Sequence, residues 1–201
     1  GLAAVIFSTL VVMNMLNGII FLKNRFELRM GVGACLGLAG IVLVFWPEIT
    51  DFETGDENLT AAAIAVLATF LASLGNIASA RNQHNGIPVI EANTYGMTYG
   101  ALLMLALSFA SGKEFTIEMT TSYIGSLLFL SVFASILAFL SYLTLLGRVG
   151  VERAAYATLL FPLVALGIST VFEGYHWSAY AGIGVALILT GNLLILKRSS
   201  N

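Results

Sequence analysis

The side chains of this sequence that could recognise a ligand are neutral amides, hydroxyls and aromatic rings set inside long apolar stretches. Thr69, Ser73 and Asn76 fall at i, i+4 and i+7, so a helix would place them on one face. Asn14 and Asn17 share a face of another helix by the same reasoning. In an apolar environment such groups either hydrogen-bond between helices or line a cavity for a polar solute, and both interpretations stay open. The candidate cavity residues are Asn14, Asn17, Ser73, Asn76, Ser135, Tyr142, Tyr156, Thr158 and Pro162.

Ionisable side chains are missing from the middle of these stretches. A carboxylate proton relay at mid-depth is therefore not predicted within them. An enzyme would need a nucleophile with its base, or a set of metal ligands, and the stretches hold no His, no carboxylate and no Gly-x-Ser-x-Gly turn. We predict no catalytic residue, no metal site, no cofactor and no nucleic-acid partner. Pro162 would free a backbone carbonyl, either for a solute site or as a simple kink.

The elements that must position these side chains follow from the distribution of charge. Of 201 residues, 58% are hydrophobic and 10% are charged, whereas a soluble domain carries roughly 25% charged residues. Dividing the chain at its charged residues leaves seven long uncharged runs, and about 20 apolar residues suffice for a helix to cross a membrane. The sequence thus predicts an all-α polytopic membrane protein. Its seven transmembrane helices are predicted at 3–22, 31–46, 60–80, 92–111, 122–146, 154–172 and 178–196.

Basic residues predict the orientation, because Lys and Arg in short loops stay on the cytoplasmic side of a membrane. Alternate connections collect eight basic residues on one side, against Lys113 alone on the other. We therefore predict that the C-terminus and the loop between the first two helices are cytoplasmic, and that the acidic loop 48–59 is external. The eight residues are Lys23, Arg25, Arg29, Arg81, Arg148, Arg153, Lys197 and Arg198.

An internal repeat relates the two ends of the chain. A first set of matches, 149 positions apart, pairs Gly1, Thr9, Leu10, Gly18 and Ile19 with Gly150, Thr158, Leu159, Gly167 and Ile168. A second set, 151 positions apart, pairs Gly31, Gly33, Leu36, Gly40 and Leu43 with Gly182, Gly184, Leu187, Gly191 and Leu194. The copies lie five predicted helices apart, an odd number, so they must cross the membrane in opposite directions. Inverted repeats of this kind are characteristic of secondary transporters.

Glycines mark predicted contacts between helices. Small residues let transmembrane helices approach closely, and the repeated Gly-x-Gly spacing has that character, as does a Gly-x-x-x-Gly motif in the fourth predicted helix. We predict close helix packing at Gly31, Gly33, Gly40, Gly96, Gly100, Gly182, Gly184 and Gly191.

Several short motifs follow one another after residue 122. They are Arg148-Val-Gly, Arg153-Ala-Ala, Leu160-Phe161-Pro162, Phe172-Glu173, and Gly182 with Leu187-Ile-Leu-Thr-Gly191. In order and spacing this segment resembles the closing three helices of the EamA-type proteins of the drug/metabolite transporter superfamily. The first copy of the repeat departs from the pattern, because Met13 and Asn24 stand where Pro162 and Glu173 stand in the second. A proline kink or a helix-end carboxylate is therefore in doubt in the first copy.

The resemblance implies a bundle of ten helices, built from two inverted halves of five, with both termini inside. This chain would then be truncated at its N-terminus and cover helices four to ten. Residues 1–47 would be the last two helices of the first repeat, 48–59 an external acidic loop, and 60–201 the complete second repeat of five helices.

The resemblance also implies a function. It indicates a secondary transporter of the bacterial inner membrane that moves amino acids, related metabolites or drugs by alternating access, with export as the usual direction. The partners would be the lipid bilayer and the solute, with a homodimer left open. Two alternatives remain, a receptor or sensor of seven helices and, less favoured, an enzyme embedded in the membrane.

Overall fold

The computed structural model describes residues 2–50, 56–112, 118–172 and 177–196. Every secondary-structure element in those ranges is a helix, as the sequence predicts. Residues 51–55 of the acidic loop, and the basic residues Lys113, Lys197 and Arg198, lie outside them. In chain order the helices are α1 (Leu2–Ser8), α2 (Leu10–Leu22), α3 (Leu28–Val44), α4 (Trp46–Thr50), α5 (Asp56–His84), α6 (Val89–Ala110), α7 (Thr121–Phe129), a π-helix (Leu130–Ala138), α8 (Phe139–Val149), α9 (Val151–Thr158), α10 (Phe161–Phe172) and α11 (Ala179–Leu196).

All seven predicted spans fall on these helices. Three stretches of the described residues are long and apolar enough to cross a membrane, namely Val5–Leu22, Leu59–His84 and Thr121–Val149. Two shorter apolar helices, Leu28–Val44 and Ala179–Leu194, coincide with two further spans. The span predicted at 92–111 lies on α6, and the one predicted at 154–172 is divided between α9 and α10.

The stretch from Thr121 to Val149 is the most exposed of the apolar helices, because none of its membrane-length window is buried within the protein. Large apolar side chains such as Leu128, Phe129 and Phe133 are half exposed or more. A continuous apolar surface of this kind is unfavourable in water and is accommodated by lipid. The chain is accordingly an integral membrane protein.

The chain forms two compact units, each described here by itself. The first unit contains residues 1–78 and 149–201, and the second contains residues 79–148. The first unit therefore holds both copies of the internal repeat. Its core draws on both copies, since Val11 and Ile41 from the first and Ala155 and Ile188 from the second are fully buried in one cluster.

Each copy of the repeat contains a broken helix, and the breaks occur at adjacent positions of the repeat. The first break separates α1 from α2 at Thr9, and the second separates α9 from α10 after Thr158. The hydroxyl of Thr9 donates to the carbonyl of Ile6 at 2.6 Å. The hydroxyl of Thr158 donates to the carbonyl of Ala155, also at 2.6 Å. The 149-residue offset relates Thr9 to Thr158 and Ile6 to Ala155. The two copies of the repeat therefore share this hydrogen bond as well as their sequence matches.

A proline is not needed for this break. Pro162 lies in the first turn of α10, where its missing N–H is tolerated. At the equivalent position in the first copy, Met13 donates its N–H to the carbonyl of Thr9 at 2.9 Å. The helix is nevertheless broken at Thr9. The first copy thus has a discontinuous helix without the proline.

Close backbone contact joins α3 to α11. A Cβ atom added to Gly40 would lie 2.5 Å from the carbonyl oxygen of Gly184, and one added to Gly184 would lie 2.5 Å from that of Gly40. At the other end of the contact, a Cβ atom on Gly191 would lie 2.7 Å from the carbonyl oxygen of Gly33. Residue numbers rise along α3 as they fall along α11, so the helices pack in opposite directions. That is the relation expected of inverted copies.

The glycine contacts also obey the symmetry of the repeat. The 151-residue offset equates Gly33 with Gly184, and Gly40 with Gly191. Exchanging the two copies therefore turns one contact, Gly33 with Gly191, into the other, Gly184 with Gly40. An approximate two-fold axis must pass between α3 and α11.

Other glycines predicted to pack lie in open space. A Cβ atom added to Gly96, Gly100 or Gly182 would meet nothing within 4 Å among the described residues, and one added to Gly31 would meet only the ring of Phe26, at 3.0 Å. A small residue permits a close approach, but it does not create one unless a second helix faces it. Among the described residues, these glycines therefore make no close contact with a second helix.

Gly184 and Gly182 make a matched pair for testing this packing. We expect Gly184→Ala to lower the stability of the protein by about 1–3 kcal/mol, because the added methyl group overlaps the backbone of α3. Gly182→Ala should leave stability unchanged or raise it by up to about 1 kcal/mol, since alanine favours helix and meets no neighbour. The measurement is thermal unfolding of the full-length protein in detergent. Equal melting temperatures for the two variants would contradict the close contact.

Candidate functional site

Two of the polar stripes predicted from the sequence meet in the first compact unit. Asn17 on α2 donates from Nδ2 to the Ser73 hydroxyl on α5 at 2.8 Å. Asn76 on α5 donates from Nδ2 to Oδ1 of Asn14 on α2 at 3.4 Å. All four side chains are buried, with Asn14 and Ser73 completely inaccessible. We refer to Asn14, Asn17, Ser73 and Asn76 as the amide cluster.

Helical spacing explains how the amide cluster forms. The two residues on α2 are three positions apart, as are the two on α5, so each helix presents a pair on one face. The pairs match when the helices run in opposite directions, because Asn14 meets Asn76 and Asn17 meets Ser73. Both helices are membrane-length apolar stretches, where a polar group without a partner is costly. The two stripes therefore stabilise each other.

One hydrogen-bonding group of the amide cluster is unused. The Asn14 side-chain nitrogen is buried and has no hydrogen-bond partner among the described residues. Among the described residues, its oxygen accepts one long bond, from Asn76. A buried donor without an acceptor costs about 1–3 kcal/mol, so this position is less favourable than a well-packed apolar one. The amide cluster thus keeps one unused donor, enclosed by protein, at Asn14.

Tyr156 and Thr158, two further candidates, lie buried on α9 in the same unit. The Tyr156 hydroxyl donates to the carbonyl of Met30 on α3 at 2.7 Å. The Thr158 hydroxyl donates to Ala155 within its own helix. Each hydroxyl has one proton, so neither donates to the amide cluster. Their polar atoms hold the backbone in place rather than extend the cluster.

The remaining candidates are placed elsewhere. Ser135 is exposed on the π-helix and Tyr142 is half-buried on α8, both within the second compact unit. The π-helix, which contains Ser135 and ends before Tyr142, does not keep the residue spacing of an α-helix. The side chain of Pro162 lies outside the described residues.

A set of polar contacts that the sequence did not predict links the two copies of the repeat. Asn24 donates from Nδ2 to Oε1 of Glu152 at 2.5 Å, joining the end of α2 to the start of α9. Arg29 donates to the carbonyl of Leu194 at 2.7 Å, joining the start of α3 to the end of α11. We call these two contacts, together with the Tyr156 bond to Met30, the inter-repeat clasp. Its partners are more than a hundred residues apart, and no spacing rule connects them.

Gly18 makes room for the clasp. A Cβ atom added there would overlap the Glu152 carboxylate and lie 3.3 Å from the Asn24 amide nitrogen. Gly18 is buried, and it belongs to the matches that define the repeat. The absence of a side chain at Gly18 thus lets a charged group from the second copy reach the end of α2.

Metal binding is not indicated by the arrangement. Within the described ranges, no three His, Cys, Asp or Glu side chains come close enough to hold an ion. The buried polar side chains found there are all uncharged: Ser8, Asn14, Asn17, Thr69, Ser73, Asn76, Asn93, Thr158 and Asn192. The polar contacts available to these side chains are therefore hydrogen bonds.

Comparison with known proteins gives a consistent picture. Residues 59–197 match the EamA-like transporter family. The chain is 24% identical over 197 residues to the "Uncharacterized transporter YvbV" of Bacillus subtilis, covering 98% of this chain and 63% of that protein. It is 22% identical to "Protein PagO" of Salmonella typhimurium, covering 98% and 64%. It is 26% identical to a "Probable amino-acid metabolite efflux pump" of the same organism, covering 95% and 65%. The chain thus spans less than two thirds of the length of these relatives.

Ser73 tests whether the amide cluster stabilises the protein. We expect Ser73→Ala to lower stability by about 1–3 kcal/mol, because it leaves the buried Asn17 amide without its acceptor. Thr69→Val is the matched control, one turn earlier on α5. Thr69 is also buried, but its hydroxyl bonds only to Ala65 in the same helix. Thermal unfolding of the full-length protein measures both, and a larger loss for Thr69→Val would contradict the pairing.

Proposed function

This chain belongs to the EamA-like transporter family, and from that premise we propose that it is part of a secondary transporter that moves small organic solutes across a bacterial inner membrane. The observation that carries the proposal is the amide cluster, a group of buried neutral hydrogen-bonding side chains between two membrane-length helices. A protein that only needed to span the membrane would be more stable with apolar side chains there. We infer that the cluster lies at the solute pathway.

The chemistry of the buried residues supports an uncharged recognition site. Hydrogen bonds from amides and hydroxyls suit amino acids and related metabolites, whose carbonyl and carboxylate oxygens accept them. One of the two Salmonella relatives is named a "Probable amino-acid metabolite efflux pump", which agrees with that class of cargo and with export. We therefore propose amino acids or their relatives as cargo and export as the direction.

Alternating access would use the two copies of the repeat. The inter-repeat clasp lies where α2 and α11 end and where α3 and α9 begin. Loops rich in Lys and Arg flank this end, which the distribution of charge assigns to the cytoplasm. We propose that the clasp closes the cytoplasmic side in this conformation and opens when the protein faces the cell interior. Rocking of one copy against the other about the glycine contacts of α3 and α11 would separate its partners.

Transport in vesicles tests the function directly. We expect the full-length protein, reconstituted in proteoliposomes, to show saturable flux of at least one radiolabelled amino acid in a panel of the twenty. Ser73→Ala should reduce that flux several-fold because it disturbs the amide cluster, whereas Ser131→Ala, an exposed serine bonded within its own helix, should not. Flux with no saturable component for any member of the panel would overturn the transport assignment.

Disrupting the clasp should shift the conformational equilibrium. Glu152→Ala removes a charge-assisted hydrogen bond worth about 1.5–3 kcal/mol, so we expect the open population to rise about tenfold or more. Spin labels at the exposed positions Phe26 and Arg153, in a Cys35→Ser background, report the separation by electron–electron double resonance. The control is Arg25→Ala, which removes an exposed charge nearby. Identical distance distributions for Glu152→Ala and the control would contradict a clasp.

A further inference from the structure

We propose that Asn14 is the residue that recognises the cargo, by donating a hydrogen bond from its side-chain nitrogen to a carbonyl or carboxylate oxygen of the solute. This inference rests on the proposed transport function and adds to it the polarity of the binding site. The observation behind it is the one buried donor of the amide cluster that has no partner among the described residues.

The contact with Asn76 gives the direction of the Asn14 amide in this structure. Asn76 donates from Nδ2 to Oδ1 of Asn14, so the oxygen of Asn14 faces Asn76. The nitrogen of the Asn14 amide then lies on the opposite side of the group from Asn76. Asn17 and Ser73 are bonded to each other one turn further along α2. The amide cluster is thus a scaffold that holds one donor in a defined direction.

The site selects for an acceptor on the ligand. An ammonium group would bring N–H groups towards another N–H group, and the buried polar side chains in the described ranges include no carboxylate to attract it. An oxygen with lone pairs satisfies the donor and removes the cost of burying it unpaired. Carbonyl and carboxylate oxygens share this chemistry. A carboxylate would also carry its charge into an apolar region, and the experiment distinguishes the two sources.

Asn192 provides a matched control for Asn14. It is also a buried asparagine of the first compact unit, with 6% of its surface exposed, and its side-chain nitrogen donates to the carbonyl of Ile188 within α11. Truncating Asn192 therefore removes a buried amide whose donor is already satisfied. The comparison separates recognition by Asn14 from a general effect of losing a buried amide.

Binding is measured by isothermal titration calorimetry on the purified full-length protein in detergent, with three probes that share an isobutyl group. N-acetyl-L-leucinamide offers neutral carbonyl oxygens, N-acetyl-L-leucine offers a carboxylate, and isopentylamine offers no carbonyl oxygen. We expect the wild-type protein to bind one or both of the first two probes and not the amine. Asn14→Ala should weaken that binding about tenfold, and Asn192→Ala should change it less than twofold. Whichever acetylated probe binds more tightly shows whether the site prefers a carbonyl or a carboxylate oxygen.

Three outcomes would overturn the proposal. They are affinity that Asn14→Ala leaves unchanged, an equal loss in Asn192→Ala, and absence of binding of both acetylated probes to the wild-type protein. If Asn14→Ala does not yield folded protein, Asn14→Leu, which refills the volume, is measured with the same expectation. Probe binding that depends on Asn14, without saturable flux in vesicles, would leave this site standing and overturn the transport function. Saturable flux that is insensitive to Asn14→Ala would support the transport function and overturn the role of Asn14.

Discussion

Hydrogen bonds in an apolar medium have no water to replace them when they break, and this constraint shapes the polar groups of this protein. Exposed hydroxyls on the apolar helices bond to carbonyls of their own helix, as Thr94, Ser131 and Thr190 do. An amide has more hydrogen-bonding atoms than a hydroxyl, and the buried amides of Asn17 and Asn76 bond across helices. Polar residues that bond to the preceding turn can therefore face lipid, whereas those that bond across helices hold α2 against α5.

The same constraint explains the contact between α3 and α11. Two helices in a membrane gain little from hydrophobic association, so they must approach closely enough for backbone packing. Gly40 and Gly184 allow each helix to lie against the carbonyl of the other. The contact repeats under the exchange of the two copies. The Asn24 contact of the inter-repeat clasp does not, since it joins a neutral donor of the first copy to a carboxylate, Glu152, of the second.

Much of the fold could be predicted from the sequence because charge and periodicity are local properties. Uncharged runs located the helices, and the i, i+4 and i+7 positions of α5 placed Ser73 and Asn76 on one face. The pairing of that face with Asn14 and Asn17 could not be predicted, since it depends on which helices become neighbours. The clasp was missed for the same reason, as Asn24 and Glu152 lie 128 positions apart. The π-helix that contains Ser135 was not predicted either, because propensity alone does not distinguish it from an α-helix.

The two broken helices differ at one backbone nitrogen, which carries a hydrogen in the first copy and none in the second. At the first break, Met13 owns an N–H group that already bonds to Thr9, so its backbone chemistry would allow the two segments to join into a continuous rod. At the second, proline stands in the equivalent place and can never supply that bond. Only the first copy therefore makes this backbone hydrogen bond across its break. The two copies are related in sequence but differ in the hydrogen bonding of that turn.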